Sequence, residues 1–204
     1  MKILYINSLY SPLIEGGAEI SLKLIVEGMK SRGHEVVVLS LMPENGLINE
    51  QVDGVSVYRA GLQNAYWPYS KTKKNMLSRL NWHYQDQSNE EMAAVVKEIL
   101  EAENPDIVSC NMFKNEQTCE NQCFSCKLLR SNHAKKSKQV SAVVGISNSI
   151  LQRFIDFGYF SNASKNIIYN TRTIPNPADK PLRKSEQPIR FGYLGTISKV
   201  KGLE

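Results

Sequence analysis

The strongest constraint on the fold is a change of hydrophobic period near the N-terminus. The run "KILYIN" (residues 2–7) is apolar through its centre and gives way to "SLYSPLIEGGAE", a loop signalled by Pro12 and the pair Gly16-Gly17. In "AEISLKLIVEGMKSRG", Ile20, Leu24 and Met29 recur among polar residues at helical spacing, and Gly33 stands where a C-cap glycine would end the helix. The next run, "EVVVLS", is β-branched and continuously apolar, as a strand buried on both faces requires. Strand, helix and strand at this spacing make a βαβ unit, which commits the chain to a parallel sheet.

Later segments extend the pattern. "GVSVYRA" reads as a strand, and "SNEEMAAVVKEILEAENPDIVSC" as a helix, a break at Pro105 and another strand, with Ser88 and Glu91 in capping-box spacing at the helix start. "SAVVGIS" predicts a buried strand, "NSILQRFIDFG" a helix closed by Gly158, and "KNIIYN" a further short strand. Residues 171–188 hold four prolines and read as a linker. "IRFGYLGTISKVKGLE" then opens a new strand and a glycine-bearing turn. The expected fold class is α/β: a doubly wound parallel, Rossmann-like sheet over residues 1–170, a linker at 171–188, and at 189–204 the first strand of a second Rossmann-like domain. Ligands of such sheets bind at the carboxyl ends of the strands.

Composition narrows the function classes. At 204 residues the chain can bury a sizeable core, and 25 Lys and Arg against 20 Asp and Glu leave a net charge of +5. That balance suits an anionic ligand or an anionic membrane surface without requiring either, and no nucleic-acid partner is expected. No apolar run approaches the roughly 18 residues of a membrane span, and "MKILYINSLY" lacks the cleavage site of a secretory signal. A cytoplasmic location follows as the expectation. The short basic clusters "KTKK" (71–74) and "KKSK" (135–138) read either as solvated surface or as contacts to anionic lipid at the inner face of the cell membrane. Tyr66, Trp67, Tyr69, Trp82 and Tyr84, with His83 among them, form an aromatic patch suited either to a half-buried lid or to stacking on a sugar.

All four cysteines fall in residues 110–126, and "CENQCFSC" places Cys119, Cys123 and Cys126 in C-x3-C-x2-C spacing. Three readings stay open: a four-iron cluster of the radical-enzyme kind, a structural zinc held with Cys110 as the fourth ligand, or unligated thiols. A radical enzyme places this motif after the first strand of a barrel, whereas here it follows a late strand of an open sheet. A nicotinamide site is disfavoured because "GGAE" lacks G-x-G-x-x-G spacing.

Four stretches together carry a resemblance: "MKILYIN" followed by "GGAE"; "GMKSRGHEVVVLS"; "AVVGISNSILQRF"; and "IIYN" leading to "FGYLGTISKVKGLE". In this order the chain resembles the retaining GT-B glycosyltransferases of the group 1, family 4 type. The resemblance implies transfer of a sugar from a nucleotide-sugar donor to a glycan or lipid-linked acceptor in cell-surface polysaccharide synthesis, with no cofactor required. It assigns Gly16, Gly17 and Lys201 to the donor phosphates, a role that bare amides at a helix N-terminus and a compact cation suit chemically. The bland alternatives are a tight strand-to-helix turn and a solvated lysine.

The chain also departs from the family pattern. Thr196 stands where the family has an arginine, and the E-x7-E motif of the donor domain is not found. The strand and helix that the family usually carries after "PDIV" are not seen before the cysteines. His34 belongs to the G-H-E turn and reads as structural, while His133 follows the cysteines with no assigned role. A non-catalytic domain that binds a glycan or a protein partner is the rival expectation.

Overall fold

The computed structural model describes residues 1–70, 72, 74–87, 89–111 and 132–170. Strands β1 (Lys2–Ile6), β2 (Glu35–Met42), β3 (Leu47–Val52), β4 (Val55–Gly61) and β5 (Ile107–Cys110) form one sheet in the order β3-β4-β2-β1-β5. The pairings β1 with β2, β1 with β5 and β2 with β4 are parallel, and β3 lies antiparallel on the edge. The architecture is therefore α/β with a mixed, mainly parallel sheet, compatible with a Rossmann-like fold.

Alternation along β1 and β2 explains why the sheet is covered on both sides. Ile3, Tyr5, Val36 and Val38 face one way and pack with Leu22 and Val26 of α1 (Gly17–Ser31). Leu4, Val37 and Leu39 face the other way, toward Ile99, Met92, Val95 and Val96 of α3 (Glu90–Glu103). Each such side chain contributes about 1.5–3 kcal/mol by leaving water. The inward face of α1 is set by Leu22, Val26 and Met29, whereas Ile20 is 44% exposed, so the stripe is rotated from the expected Ile20, Leu24 and Met29.

Local chemistry sets the remaining boundaries. α1 ends at Gly33, whose φ of +82° needs no Cβ. Asp53 and Gly54, both at positive φ, turn β3 into β4, and Lys30 donates to both of their carbonyls at 3.0 and 2.9 Å. α3 is capped by Asn89, whose side chain accepts from the Met92 amide at 2.9 Å, rather than by the expected Ser88, which lies outside the described residues. Between β4 and α3 lies α2 (Met76–Gln87).

Downstream stand α4 (His133–Ser137), β6 (Ala142–Gly145), α5 (Asn148–Asp156) and β7 (Ser164–Ile167). Strands β6 and β7 pair in parallel with each other in a separate two-stranded sheet, with α5 as their crossover. The expectation that "SAVVGIS" is buried does not hold: Val144 is 53% exposed, and among the described residues no third strand joins this pair. Its own small core is Tyr159, Phe160 and Ala163 with Phe154.

Candidate functional site

The chain leaves β1 toward β2 on one side and later places β5 on the other side of β1. That reversal is a topological switch point, and the crevice beyond the carboxyl ends of β1 and β5 is where an open α/β sheet takes its ligand. Ile6 is in register with Cys110, so Asn7 and Asn111 are the next residues out on neighbouring strands. The backbone fixes both: the Asn111 amide donates to the Ile6 carbonyl at 2.9 Å and the Asn7 amide to the Leu39 carbonyl at 3.0 Å.

Their side chains distinguish this edge. Asn7 is 4% exposed and its Nδ2 donates to the Leu9 carbonyl at 2.6 Å, which fixes the orientation of the amide. Asn7 Oδ1 and Asn111 Nδ2 are both buried with no hydrogen-bond partner among the described residues. A buried polar atom left unpaired costs about 1–3 kcal/mol, so most are paired in native proteins. Here an acceptor and a donor at the ends of adjacent strands have no partner among the described residues. Oδ1 can accept a hydrogen bond from a ligand hydroxyl, and Nδ2 can donate one.

The loop from β1 to α1 borders the same edge. A buried cation holds it in place: Arg59 on β4 donates through Nη1 to the Tyr10 carbonyl at 3.3 Å and to Ser40 Oγ at 3.2 Å, and through Nη2 to the Ser11 carbonyl at 2.6 Å. Its Nε pairs with Glu50 of β3. The peptide bond between Ser11 and Pro12 is cis. At the start of α1, the Gly16 amide donates to Glu19 Oε2 at 2.8 Å, so a carboxylate already answers the positive end of the helix there. Gly16 and Gly17 are exposed, and a Cβ placed at Gly16 would meet only Glu19 Oε2, at 3.8 Å.

The residues expected from sequence divide accordingly. Gly16 and Gly17 sit at the carboxyl side of the sheet, while Lys201 and Thr196 lie outside the described residues. Cys110 is an exposed free thiol at the end of β5, and Cys119, Cys123 and Cys126 lie outside the described residues. Among the described residues no group of three or more His, Cys, Asp or Glu side chains converges as a metal site. His34 is half-buried in the turn after α1, where its amide donates to the Met29 carbonyl at 3.2 Å. His83 stacks edge-on against Trp82, 5.3 Å between centroids, within the aromatic patch. Arg59, Asn7 and Asn111 were not singled out by motif or periodicity.

The edge geometry can be set beside known proteins. No family model matches the chain. The chain does have a relative. It is 27% identical to a Klebsiella pneumoniae protein described as "Uncharacterized 42.6 kDa protein in cps region", over all of this chain and 63% of that relative. The chain thus spans less than two thirds of that protein's length. The match runs over 239 positions although the chain has 204 residues, so at least 35 positions have no residue of this chain opposite them.

Proposed function

We propose that this chain is the acceptor-side part of a retaining GT-B glycosyltransferase, moving a sugar from a nucleotide-sugar to a glycan or lipid-linked acceptor in polysaccharide biosynthesis. The observation that carries the reading is the presence at the switch point of a buried acceptor, Asn7 Oδ1, and a buried donor, Asn111 Nδ2, neither with a partner among the described residues. The relative from a cps region, named for capsule polysaccharide, supports the polysaccharide setting.

In this reading the asparagine pair orients an acceptor hydroxyl, and Arg59 keeps the bordering loop in the shape that admits it. The donor diphosphate lies near Gly16 and Gly17, with Lys201 supplying a cation. A phosphate seated on the Gly16 amide displaces the Glu19 carboxylate that now holds it. Replacement of Glu19 by Gln therefore raises affinity for a nucleoside diphosphate.

The test is a binding and hydrolysis screen of the purified chain against the common nucleotide-sugars and against oligosaccharide acceptors, read by ligand-detected NMR. Binding of an acceptor that is lost in Asn7→Ala and Asn111→Ala supports the proposal. If no nucleotide-sugar and no glycan binds, the proposal is wrong.

A further inference from the structure

Helix α2 buries Trp82 but turns four other large apolar residues to solvent. Met76, Leu77, Leu80 and Tyr84 are 85%, 77%, 57% and 75% exposed. At about 100° per residue they fall in one stripe about 100° wide, the width that a globular protein normally turns inward. The opposite side of the helix is the anchored one. Trp82 is buried there and donates Nε1 to the Tyr66 carbonyl at 3.0 Å. Asn64 Nδ2 donates to the Trp82 carbonyl at 3.2 Å, and the Ala65 amide donates to Gln85 Oε1 at 3.0 Å. The loop before α2 therefore holds the helix with its stripe facing outward.

Charge beside the stripe indicates what covers it. Lys74 and Arg79 line a groove of about 410 Å³ together with Tyr66, Pro68, Ser70 and Thr72, and Lys74 Nζ lies 5.2 Å from the centre of the Tyr66 ring. Every polar side chain of that groove can donate a hydrogen bond and none is a carboxylate. In sequence the segment also carries Lys71 and Lys73, and the single acidic residue of α2 is Asp86. Trp67 and Tyr69, 5.3 Å apart between centroids, are half-buried at the base of the same loop. Apolar stripe, flanking cations and amphipathic aromatics are the parts of a helix that lies in a bilayer interface. No described helix is long and apolar enough to cross a membrane, which leaves the in-plane arrangement.

We propose that α2, together with Tyr66, Trp67, Tyr69 and Lys74 before it, docks this protein onto an anionic lipid bilayer. Met76, Leu77, Leu80 and Tyr84 enter the acyl boundary, and Lys74 and Arg79 meet lipid phosphates in the groove. The inference does not depend on sugar transfer, and it identifies the surface on which a lipid-linked acceptor would be met.

Flotation of the purified chain with vesicles of phosphatidylcholine, with and without added phosphatidylglycerol, tests it. Binding should require the anionic lipid and weaken with salt. Leu77→Asp combined with Leu80→Asp should reduce partitioning about tenfold or more, since two apolar anchors are lost. Lys74→Gln and Arg79→Gln should each cost roughly fivefold on anionic vesicles. Ile48→Asp, at an exposed position on β3, should change nothing. Absence of vesicle binding, or binding untouched by the Leu77 and Leu80 changes, overturns the proposal. So does a dimer, seen by sedimentation without lipid, that those two changes split into monomers. A chain that binds vesicles yet no nucleotide-sugar or glycan would refute the transferase reading and leave this one standing.

Discussion

Arg59 Nη2 donates to the carbonyl oxygen of Ser11 at 2.6 Å, and through this bond a buried cation on β4 sets the path of the loop between β1 and α1. The same guanidinium serves Tyr10, Ser40 and Glu50, and the residue is 5% exposed. Replacement by Leu removes the donor to the Ser11 carbonyl and to Ser40 Oγ, leaves the Tyr10 carbonyl with the Leu13 amide alone, and leaves Glu50 without its counter-charge. Arg59→Leu should lower unfolding free energy by about 2–4 kcal/mol. Arg59→Lys should recover only part of this, because an ammonium cannot span the fork. Urea denaturation of the three proteins measures both.

Asn7 and Asn111 differ in what they give the fold, and that difference separates stability from binding. Asn7 satisfies the Leu9 carbonyl, so Asn7→Ala should cost about 1 kcal/mol. Asn111 Nδ2 satisfies nothing among the described residues, so Asn111→Ala should hold stability within about 0.5 kcal/mol or raise it. If the pair grips an acceptor hydroxyl, both variants lose acceptor affinity. Calorimetric unfolding alongside acceptor titration distinguishes the two effects.

How much of this was legible in the sequence depended on whether the signal was local. The β1–α1–β2 passage was readable because burial on both faces forces "EVVVLS" to be apolar throughout and Gly33 marks the helix end. The rotation of the α1 stripe was not readable, since Ile20 and Leu22 are equally apolar and only the sheet decides which turns inward. The β3–β4 hairpin had its signal in Asp53-Gly54 between two runs, but β3 itself, "LINEQV", is half polar and carries little strand character. Arg59 reads as one more surface charge, because its partners Tyr10, Ser11 and Ser40 are 49, 48 and 19 residues away. Asn7 and Asn111 become a pair only through the register of two strands about a hundred residues apart. For β6, an apolar run implied a cover that the described residues do not supply.

A network at the amino end of β1 gives the protein a predictable pH dependence. Lys2 Nζ bridges Glu103 at 2.6 Å and Glu35 at 2.9 Å, and Tyr58 also donates to Glu103. The hydrogen bond from Lys2, then that from Tyr58, holds the Glu103 carboxyl below its usual 4.5. Those to Glu103 and then Glu35 push Lys2 up to about 12. A lowered carboxyl stabilises the fold fully above the unfolded value near 4.5 and stops doing so as pH falls through the folded value. A raised ammonium stabilises fully below 10.5 and ceases to as pH rises through about 12. Glu103→Gln should flatten the acid limb of the urea-midpoint profile and shift the alkaline limb to lower pH. An unchanged acid limb would show that Glu103 is not coupled to Lys2 in solution.

Two glycines in turns that start helices should behave in opposite ways. A Cβ at Gly145 would lie 2.6 Å from Leu151 Cβ and 3.1 Å from the Ser147 carbonyl, where β6 turns into α5, so the turn closes only without a side chain. Gly145→Ala should cost about 1–3 kcal/mol as the turn opens to admit it. At Gly16, φ is −167°, extended backbone open to any residue, and the nearest atom to a Cβ is 3.8 Å away. Gly16→Ala should cost no more than about 1 kcal/mol, the usual difference between these residues at an N-cap. The fold therefore does not require glycine at position 16, whereas close approach of a ligand to the backbone would. If a donor phosphate seats there, Gly16→Ala lowers nucleotide affinity more than about tenfold while the thermal midpoint hardly moves. Equal nucleotide affinity in the two proteins would place the phosphate elsewhere.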